Sequence, residues 1–371
     1  MIVGVPSEVK NHEYRVACTP AGVHELVRLG HRVLVQIGAG AGSSLPDADF
    51  VAAGATMVDD ADEVWGDAEL VLKVKEPVAE EYHRLRTDLV LFTYLHLAAS
   101  QPCTRALLDA GTTAIAYETV MAPDGSLPLL APMSEVAGRM APLAGAHHLQ
   151  RDGGGRGVLM GGVPGVYAAK VVVIGAGVSG TSAAAIALGM QAEVLLLDRN
   201  IARLREVDRI YQGHCQTVAS NTYEVERAVL DADLVIGAVL VPGARAPRLV
   251  SNDLVRRMKP GSVLVDISID QGGCFEDSRP TTHAEPTYRV HDSVFYCVAN
   301  MPGAVPHTST FALTNVTLPY AVEIVTHGWR GALRADPSLA LGLNTHDGQV
   351  TNAAVAEAHG LPAVGVEAAT A

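Results

Sequence analysis

At 371 residues the chain is long enough for two domains of ordinary size and too long for one core. Nearly half of it is apolar (49%), only 18% is charged, and 27 basic against 40 acidic residues leave a formal charge of −13. The basic residues are scattered, which leaves no electrostatic footprint for nucleic acid or an anionic membrane surface and disfavours both as partners. Cys18, Cys103, Cys215, Cys274 and Cys297 are odd in number, widely spaced and free of any C-x-x-C pair, so they read as buried reduced thiols. The stretch from Met1 to Lys10 lacks the basic start and apolar run of a signal peptide. The charge-free stretch from Val171 to Ala192 carries glycines, Ser and Thr that suit a strand, a turn and a helix better than a membrane span. A cytoplasmic protein is expected.

Short β-rich runs alternate with helical stretches from the first residue, the pattern of an α/β fold. Ile2 to Val5, Arg32 to Gln36, Leu70 to Val74, Leu89 to Leu95 and Thr113 to Tyr117 read as strands. Helical stretches near Ala21 to Leu29, Val78 to Leu85 and Pro102 to Ala110 lie among them. From Pro132 to about Gln150 the sequence predicts a long helix, and the domain crossing is placed near residue 130. Six more strands are predicted: Val171 to Ile174, Glu193 to Leu197, Cys215 to Val218, Leu234 to Ile236, Val263 to Asp266 and Val294 to Val298. Six strands complete a doubly wound dinucleotide domain. A helix from Ser309 to about Arg330 then leads back to pack on the first domain. These boundaries assign 1–130 plus 305–371 to a substrate domain and 131–304 to a dinucleotide domain.

Gly175-Ala-Gly177-Val-Ser-Gly180 matches G-x-G-x-x-G, a weak signal alone in a chain with 36 glycines. Its setting strengthens it, because the motif follows the apolar strand Val171 to Ile174 and opens an Ala-rich helix. Gly175 permits the tight turn, Gly177 lets the backbone approach a pyrophosphate, and Gly180 lets helix and strand pack closely. Asp198 ends the next strand, where a carboxylate binds the adenosine ribose hydroxyls and repels a 2′-phosphate, so NAD is favoured over NADP. Arg199 and Arg203 weaken that preference, since an arginine there can accept the phosphate.

Ligands of such sheets sit beyond the carboxyl ends of the strands. In the second domain those ends carry Ser220, Val239, Leu240, Ile267, Ser268, Ile269, Asp270, Ala299, Asn300 and Met301. In the first they carry Lys75, His96 and Glu118, and Arg15 lies in the loop after the first strand. Facing edges of this kind would enclose a reaction cleft. Taken singly, each residue has a plainer reading: a strand-end lysine as a solvated cap, a lone histidine as a satisfied core residue, Arg15 as a partner of Glu8 or Glu13.

Together the segments Arg15-Val-Ala-x-Thr-Pro20, Leu72-Lys-Val-Lys-Glu-Pro77, Thr93-Tyr-Leu-His96, Leu130 to Arg139, Gly161-Gly-Val-Pro-Gly165 and Val265 to Gly273 resemble the alanine dehydrogenase/pyridine nucleotide transhydrogenase family, from Met1 to about Gly360. The resemblance implies two Rossmann-like doubly wound domains with a cleft between them, usually assembled as a homohexamer. It further implies NAD-dependent, reversible oxidative deamination of L-alanine to pyruvate and ammonia. On the matching motifs, Arg15 and Lys75 hold the substrate carboxylate and His96 with Asp270 form the catalytic pair. Ser134, Gly175, Gly177, Val178, Gly180, Asp198, Arg203, Ser220, Val239, Leu240, Ile267, Ser268, Ile269, Asp270, Arg279, Val298, Ala299, Asn300 and Met301 match the cofactor contacts. Tyr94, Leu130, Met133 and Met301 form an apolar set suited to a methyl group. Glu323 and His327, four apart on a predicted helix, match a place where Mg2+ is assigned in relatives, though Mg2+ prefers oxygen ligands and no catalytic role follows.

The departures are few: Cys18 and Ser179 replace the usual apolar or Ala residues, Gln191 stands where Gly is common, and Arg203 where Lys is. Two other readings compete. One is the nucleotide-binding subunit of a proton-pumping transhydrogenase, which needs no amino-acid acid/base group. The other is a non-catalytic NAD(H)-sensing protein, which the joint presence of Arg15, Lys75, His96 and Asp270 argues against.

Overall fold

The computed structural model describes residues 1–239 and 246–370, which divide into two compact units: Met1–Met133 with Gly303–Ala371, and Ser134–Pro302. In chain order the first unit's leading segment supplies β1 (Ile2–Val5), β2 (Arg32–Gln36), β3 (Thr56–Val58), β4 (Leu70–Leu72), β5 (Val90–Thr93) and β6 (Thr113–Ala116). The second unit supplies β7 (Lys170–Ile174), β8 (Glu193–Asp198), β9 (Cys215–Ala219), β10 (Leu234–Gly237), β11 (Val263–Asp266), β12 (Thr287–Val290) and β13 (Ser293–Tyr296). The trailing segment returns to the first unit with β14 (Leu343–His346) and β15 (Gln349–Val350).

In the first unit the sheet order is β15-β14-β6-β5-β4-β1-β2-β3. β1 to β6 pair in parallel, and β14 joins β6 antiparallel. β4, β5 and β6 are buried along their whole length, as strands covered on both faces must be. Two predicted strands end early. β4 stops at Leu72, because the Val74 N–H donates to the Glu8 carboxylate at 2.6 Å. β5 stops at Thr93, and three residues later His96 takes a left-handed conformation (φ 49°). The stretch expected as a helix over Val78 to Leu85 is a 3₁₀ segment, Ala79–Arg84. The long C-terminal helix runs from Pro306 to Ala335 with a break at Gly328, longer than expected.

In the second unit the order is β12-β13-β11-β10-β7-β8-β9. Its six parallel strands are the six expected from sequence, and β7 lies beside β10, where the order reverses. β12 adds an antiparallel seventh that sequence reading passed over. That edge strand is half-exposed and carries Arg289, so it lacks the apolar run of its neighbours. The predicted helix over 132–150 is present as Ala131–Leu149. Ala137, Ala141, Leu149, Ala183, Ala184 and Ala187 pack with Val171, Val173 and Leu234 on one face of the sheet. Val229, Leu254 and Phe275 pack with Val172, Val235 and Phe295 on the other.

Candidate active site

In the second unit the glycine turn joins β7 to the helix Val178–Gly189. Gly175 has φ +109°, a region closed to residues with a Cβ, and an added Cβ would lie 2.5 Å from the Ala238 carbonyl oxygen. At Gly180 an added Cβ would lie 1.7 Å from the Gly175 carbonyl oxygen, so only glycine lets this helix start so close to the strand. Gly177 differs: its added Cβ would meet nothing nearer than Arg203 Nη1 at 3.8 Å. Space is therefore left open above the first turn of a twelve-residue helix whose N-cap, Gly177, supplies no side-chain acceptor. Open backbone at a helix N-terminus is where a pyrophosphate binds.

Asp198, at the end of β8, is fixed beside that turn. Its Oδ2 accepts the Ala176 N–H at 2.6 Å and its Oδ1 the Asn200 N–H at 2.7 Å. The Ser220 N–H donates to the Asp198 carbonyl at 2.9 Å. Next along the sheet, the Ser268 hydroxyl donates to the Val239 carbonyl at 2.7 Å, tying two neighbouring strand ends together. Ile267, Ser268, Ile269 and Asp270 form one 3₁₀ turn, Ile267–Gln271, capped by Asp266, which also accepts the Cys274 N–H at 2.9 Å. Burial pushes the Asp266 carboxyl above its ordinary value. Asp270 is exposed on that turn. The Arg279 guanidinium lies 4.1 Å from the centre of the Tyr288 ring. Val298 and Met301 are buried in the unit's core, and Asn300, with φ 71°, gives its carbonyl to His283 Nε2 at 3.0 Å. Ser134 is half-buried on the helix Ala131–Leu149. The expected cofactor residues thus cluster at one edge of one sheet, apart from Ser134 on its helix and Leu240, which lies outside the described residues.

The first unit gathers charge instead of space. Arg15 is 2% exposed and grips Glu13 with two parallel bonds, Nε to Oε1 at 2.6 Å and Nη2 to Oε2 at 2.5 Å. Nη1 points to Met133 Sδ at 3.0 Å. Burial alone would raise the Glu13 carboxyl, but the charge and hydrogen bonds of Arg15 overcome it and hold Glu13 below its ordinary value. Lys75 is only 8% exposed, and no acceptor among the described residues lies within hydrogen-bond or ion-pair range of its ammonium. Its charge acts on Glu13 and on Glu76. Glu76 pairs with Lys10, and its Oε2 is buried without a hydrogen-bond partner.

His96 follows β5. The Glu118 carboxylate accepts the N–H of Leu95 at 3.2 Å and that of His96 at 2.6 Å, which fixes the left-handed backbone, and lies 4.0 Å from His96 Nδ1. The imidazole is stacked on Tyr94 with centroids 5.9 Å apart, and Tyr94 donates its hydroxyl to the Leu129 carbonyl at 2.6 Å. About a third of the His96 side chain stays open to solvent. Sequence reading placed Glu118 at a strand end without seeing this task, since nothing local says where a carboxylate 22 residues away will point. Glu323 and His327 pair with each other at 3.5 Å on an exposed helix face. Among the described residues no group of three His, Cys, Asp or Glu is arranged to hold a metal, and Glu323 with His327 is too small a set for Mg2+.

A six-strand parallel array with a glycine turn, a carboxylate pinned beside it and polar strand ends defines a Rossmann-type dinucleotide-binding protein. The N-terminal-domain model described as "Alanine dehydrogenase/PNT" matches residues 4–137, and the corresponding C-terminal-domain model matches 141–353. The chain belongs to the alanine dehydrogenase/PNT family. It is 65% identical to an alanine dehydrogenase of Mycobacterium tuberculosis over 98% of both chains, and 60% identical to one of Halomonas elongata over 97% of both. Among solved structures it is similar to an L-alanine dehydrogenase (TM-score 0.93, 50% identity, 97% of this chain and 99% of that one). It is also similar to a transhydrogenase from Sinorhizobium meliloti (TM-score 0.80, 27% identity, 95% of this chain and 100% of that one). No helix among the described residues is long and apolar enough to cross a membrane.

Proposed function

We propose that this protein is an NAD-dependent oxidoreductase that catalyses the reversible conversion of L-alanine and water to pyruvate and ammonia. The observation that carries the reading is Lys75, a nearly buried ammonium with no acceptor in reach among the described residues, in the same unit as the buried Arg15–Glu13 pair. A desolvated cation of that kind calls for an anion, and a carboxylate fits. Lys75 meets the substrate carboxylate, and the Arg15 guanidinium, held in place by Glu13, adds its charge at the same end of the substrate. The substrate's methyl group lies against Tyr94, Leu130 and Met133.

Bound NAD+ supplies the acceptor for the hydrogen on the alanine Cα. Gly175, Gly177, Gly180 and the Val178 helix start hold its pyrophosphate, Asp198 its adenosine ribose hydroxyls, and Arg203, next to Gly177, faces the phosphates. That direction leaves the Asp198 carboxylate to set the preference for NAD over NADP. Ser134, Ser220, Val239, Leu240, Ile267, Ser268, Ile269, Arg279, Val298, Ala299, Asn300 and Met301 line the rest of the cofactor's path. His96 takes and returns the proton when water adds to the imine and ammonia leaves, a task suited to an imidazole ring, which can both accept and donate a proton. Asp270 stabilises the cationic imine. Residues 1–130 with 305–371 form the substrate domain, and 131–304 the NAD domain.

The protein works in the cytoplasm as a homohexamer. Five buried, unpaired thiols suit a reducing compartment. Leu159, Val163, Val166 and Tyr167, each more than half exposed on one short segment, suit a subunit contact. Light scattering should give six times the chain mass.

The test is an absorbance assay of NADH with L-alanine, glycine and serine in one direction, and with pyruvate or glyoxylate plus ammonium in the other, repeated with NADP(H). Turnover with alanine and pyruvate on NAD(H) is expected. Tight NADH binding without any alanine- or pyruvate-dependent change would overturn the reading.

A further inference from the structure

We propose that Lys73, two residues before Lys75, is a positioning residue that sets the charge balance of the carboxylate pocket and ties the Arg15 loop to the Lys75 strand end. The inference rests on the reading of Arg15 and Lys75 given above. Lys73 is completely buried, and its Nζ lies 3.0 Å from Glu8 Oε2 and 2.9 Å from Glu81 Oε1. The indole of Trp65 lies 5.9 Å away on the same ammonium. A lysine at this depth without partners would lose its proton; burial alone lowers Lys73, but the two carboxylates overcome it and hold it above the ordinary lysine value.

Each partner comes from a different stretch of chain. Glu8 lies in the loop after β1, seven residues before Arg15, and its other oxygen accepts the Val74 N–H at 2.6 Å. Glu81 lies in the 3₁₀ segment after the Lys75 loop and also accepts the Val78 N–H at 3.0 Å. Residues 73 to 78 are thereby clamped at both ends, with Lys75 between the clamps. The electrostatic chain is continuous: Glu8 acts on Arg15 and Glu13, Glu13 on Lys75, and Lys75 with Lys10 on Glu76. Lys10 pairs with Glu76, Arg15 with Glu13, and Lys73 with both Glu8 and Glu81, which leaves no acceptor for Lys75 among the described residues. Removing Lys73 would take the cation from between Glu8 and Glu81; burial already raises the Glu8 carboxyl, and whatever negative charge the pair then keeps lies in a poorly screened pocket that must accept a carboxylate. Removing Glu81 would leave one surplus positive charge. At an effective dielectric of about 20, one unit charge acting over roughly 10 Å changes anion affinity on the order of tenfold.

The sign separates this role from packing, because loss of packing weakens substrate binding whichever partner is changed. We expect Lys73→Met to raise the KM for pyruvate on the order of tenfold with the Kd for NADH unchanged. Glu81→Gln, which keeps an oxygen for Val78, should lower that KM by roughly two- to tenfold, and the double variant should return towards wild type. Should Lys73→Met fail to fold, Glu81→Gln alone decides: a lower KM supports the assignment, and an unchanged or higher KM overturns it. A wild-type protein without alanine or pyruvate turnover would instead overturn the functional reading itself.

Discussion

The two units build their sites by opposite means. The second removes side chains: glycines at 175 and 180 let chain approach chain, Gly177 leaves the helix start open, and one carboxylate, Asp198, is pinned by main-chain N–H groups. The first buries long charged side chains and balances them against one another, with Arg15 on Glu13 and Lys73 between Glu8 and Glu81. A backbone-made site tolerates no added atom where chain meets chain. A charge-made site tolerates a change of shape better than a change of charge, because one unpaired buried ion costs several kcal/mol.

Glycine substitutions probe the first half of this contrast most severely. Gly180→Ala places a Cβ on top of the Gly175 carbonyl oxygen, so the helix must shift; we expect loss of NADH binding and destabilisation of about 3 kcal/mol or more, read by thermal unfolding. Gly177→Ala, three residues earlier, meets no atom within 3.4 Å and should fold normally while NADH affinity falls. Equal damage from both would mean that the turn is merely structural.

Charge-made construction shows in its pH dependence. Glu13→Gln should cost about 3 kcal/mol at pH 7 by leaving Arg15 without its counter-charge. Because the folded Glu13 carboxyl lies below its ordinary value, that stabilisation is complete above pH 4.5 and fades as pH falls through the depressed value. The gap in unfolding midpoint between wild type and variant should therefore narrow in acid; a gap that is the same at pH 7 and pH 3.5 would contradict the ion pair's part in it.

The smallest effect expected is a gain. The φ of Gln191 is +62°, a conformation that strains a residue with a side chain. Gln191→Gly should stabilise the second unit by about 0.5 kcal/mol, a midpoint shift of one or two degrees. A clear loss of stability would show that the side chain's packing outweighs its backbone strain.

The same contrast explains what could be read without coordinates. The glycine turn is local, with six residues between a strand and a helix, and Asp198 follows one strand later, so spacing alone located it. The six parallel strands were legible for the same reason, as continuous apolar runs. β12 and β14 were not: they pair antiparallel at the sheet edges, and β14 reaches β6 only through a connection of more than two hundred residues. In the first unit the individual residues Arg15, Lys75 and His96 were visible at strand ends, but their partners were not. Glu13 as the fork's acceptor was one of two options, Glu118 had no assigned task, and the Lys73 clamp joins residues 65 positions apart. Burial of charge is a tertiary event, and no period in the sequence records it.

Lys75 is where that event meets the proposed chemistry. The most direct measurement is alanine-dependent NADH formation by Lys75→Ala, run beside NADH binding by the same sample. If Lys75 holds the substrate carboxylate, kcat/KM for alanine should fall by roughly a thousandfold, about 4 kcal/mol, with the Kd for NADH within a factor of about two of wild type. Turnover near the wild-type rate, or a parallel loss of NADH affinity, would contradict the assignment of carboxylate and cofactor to separate units.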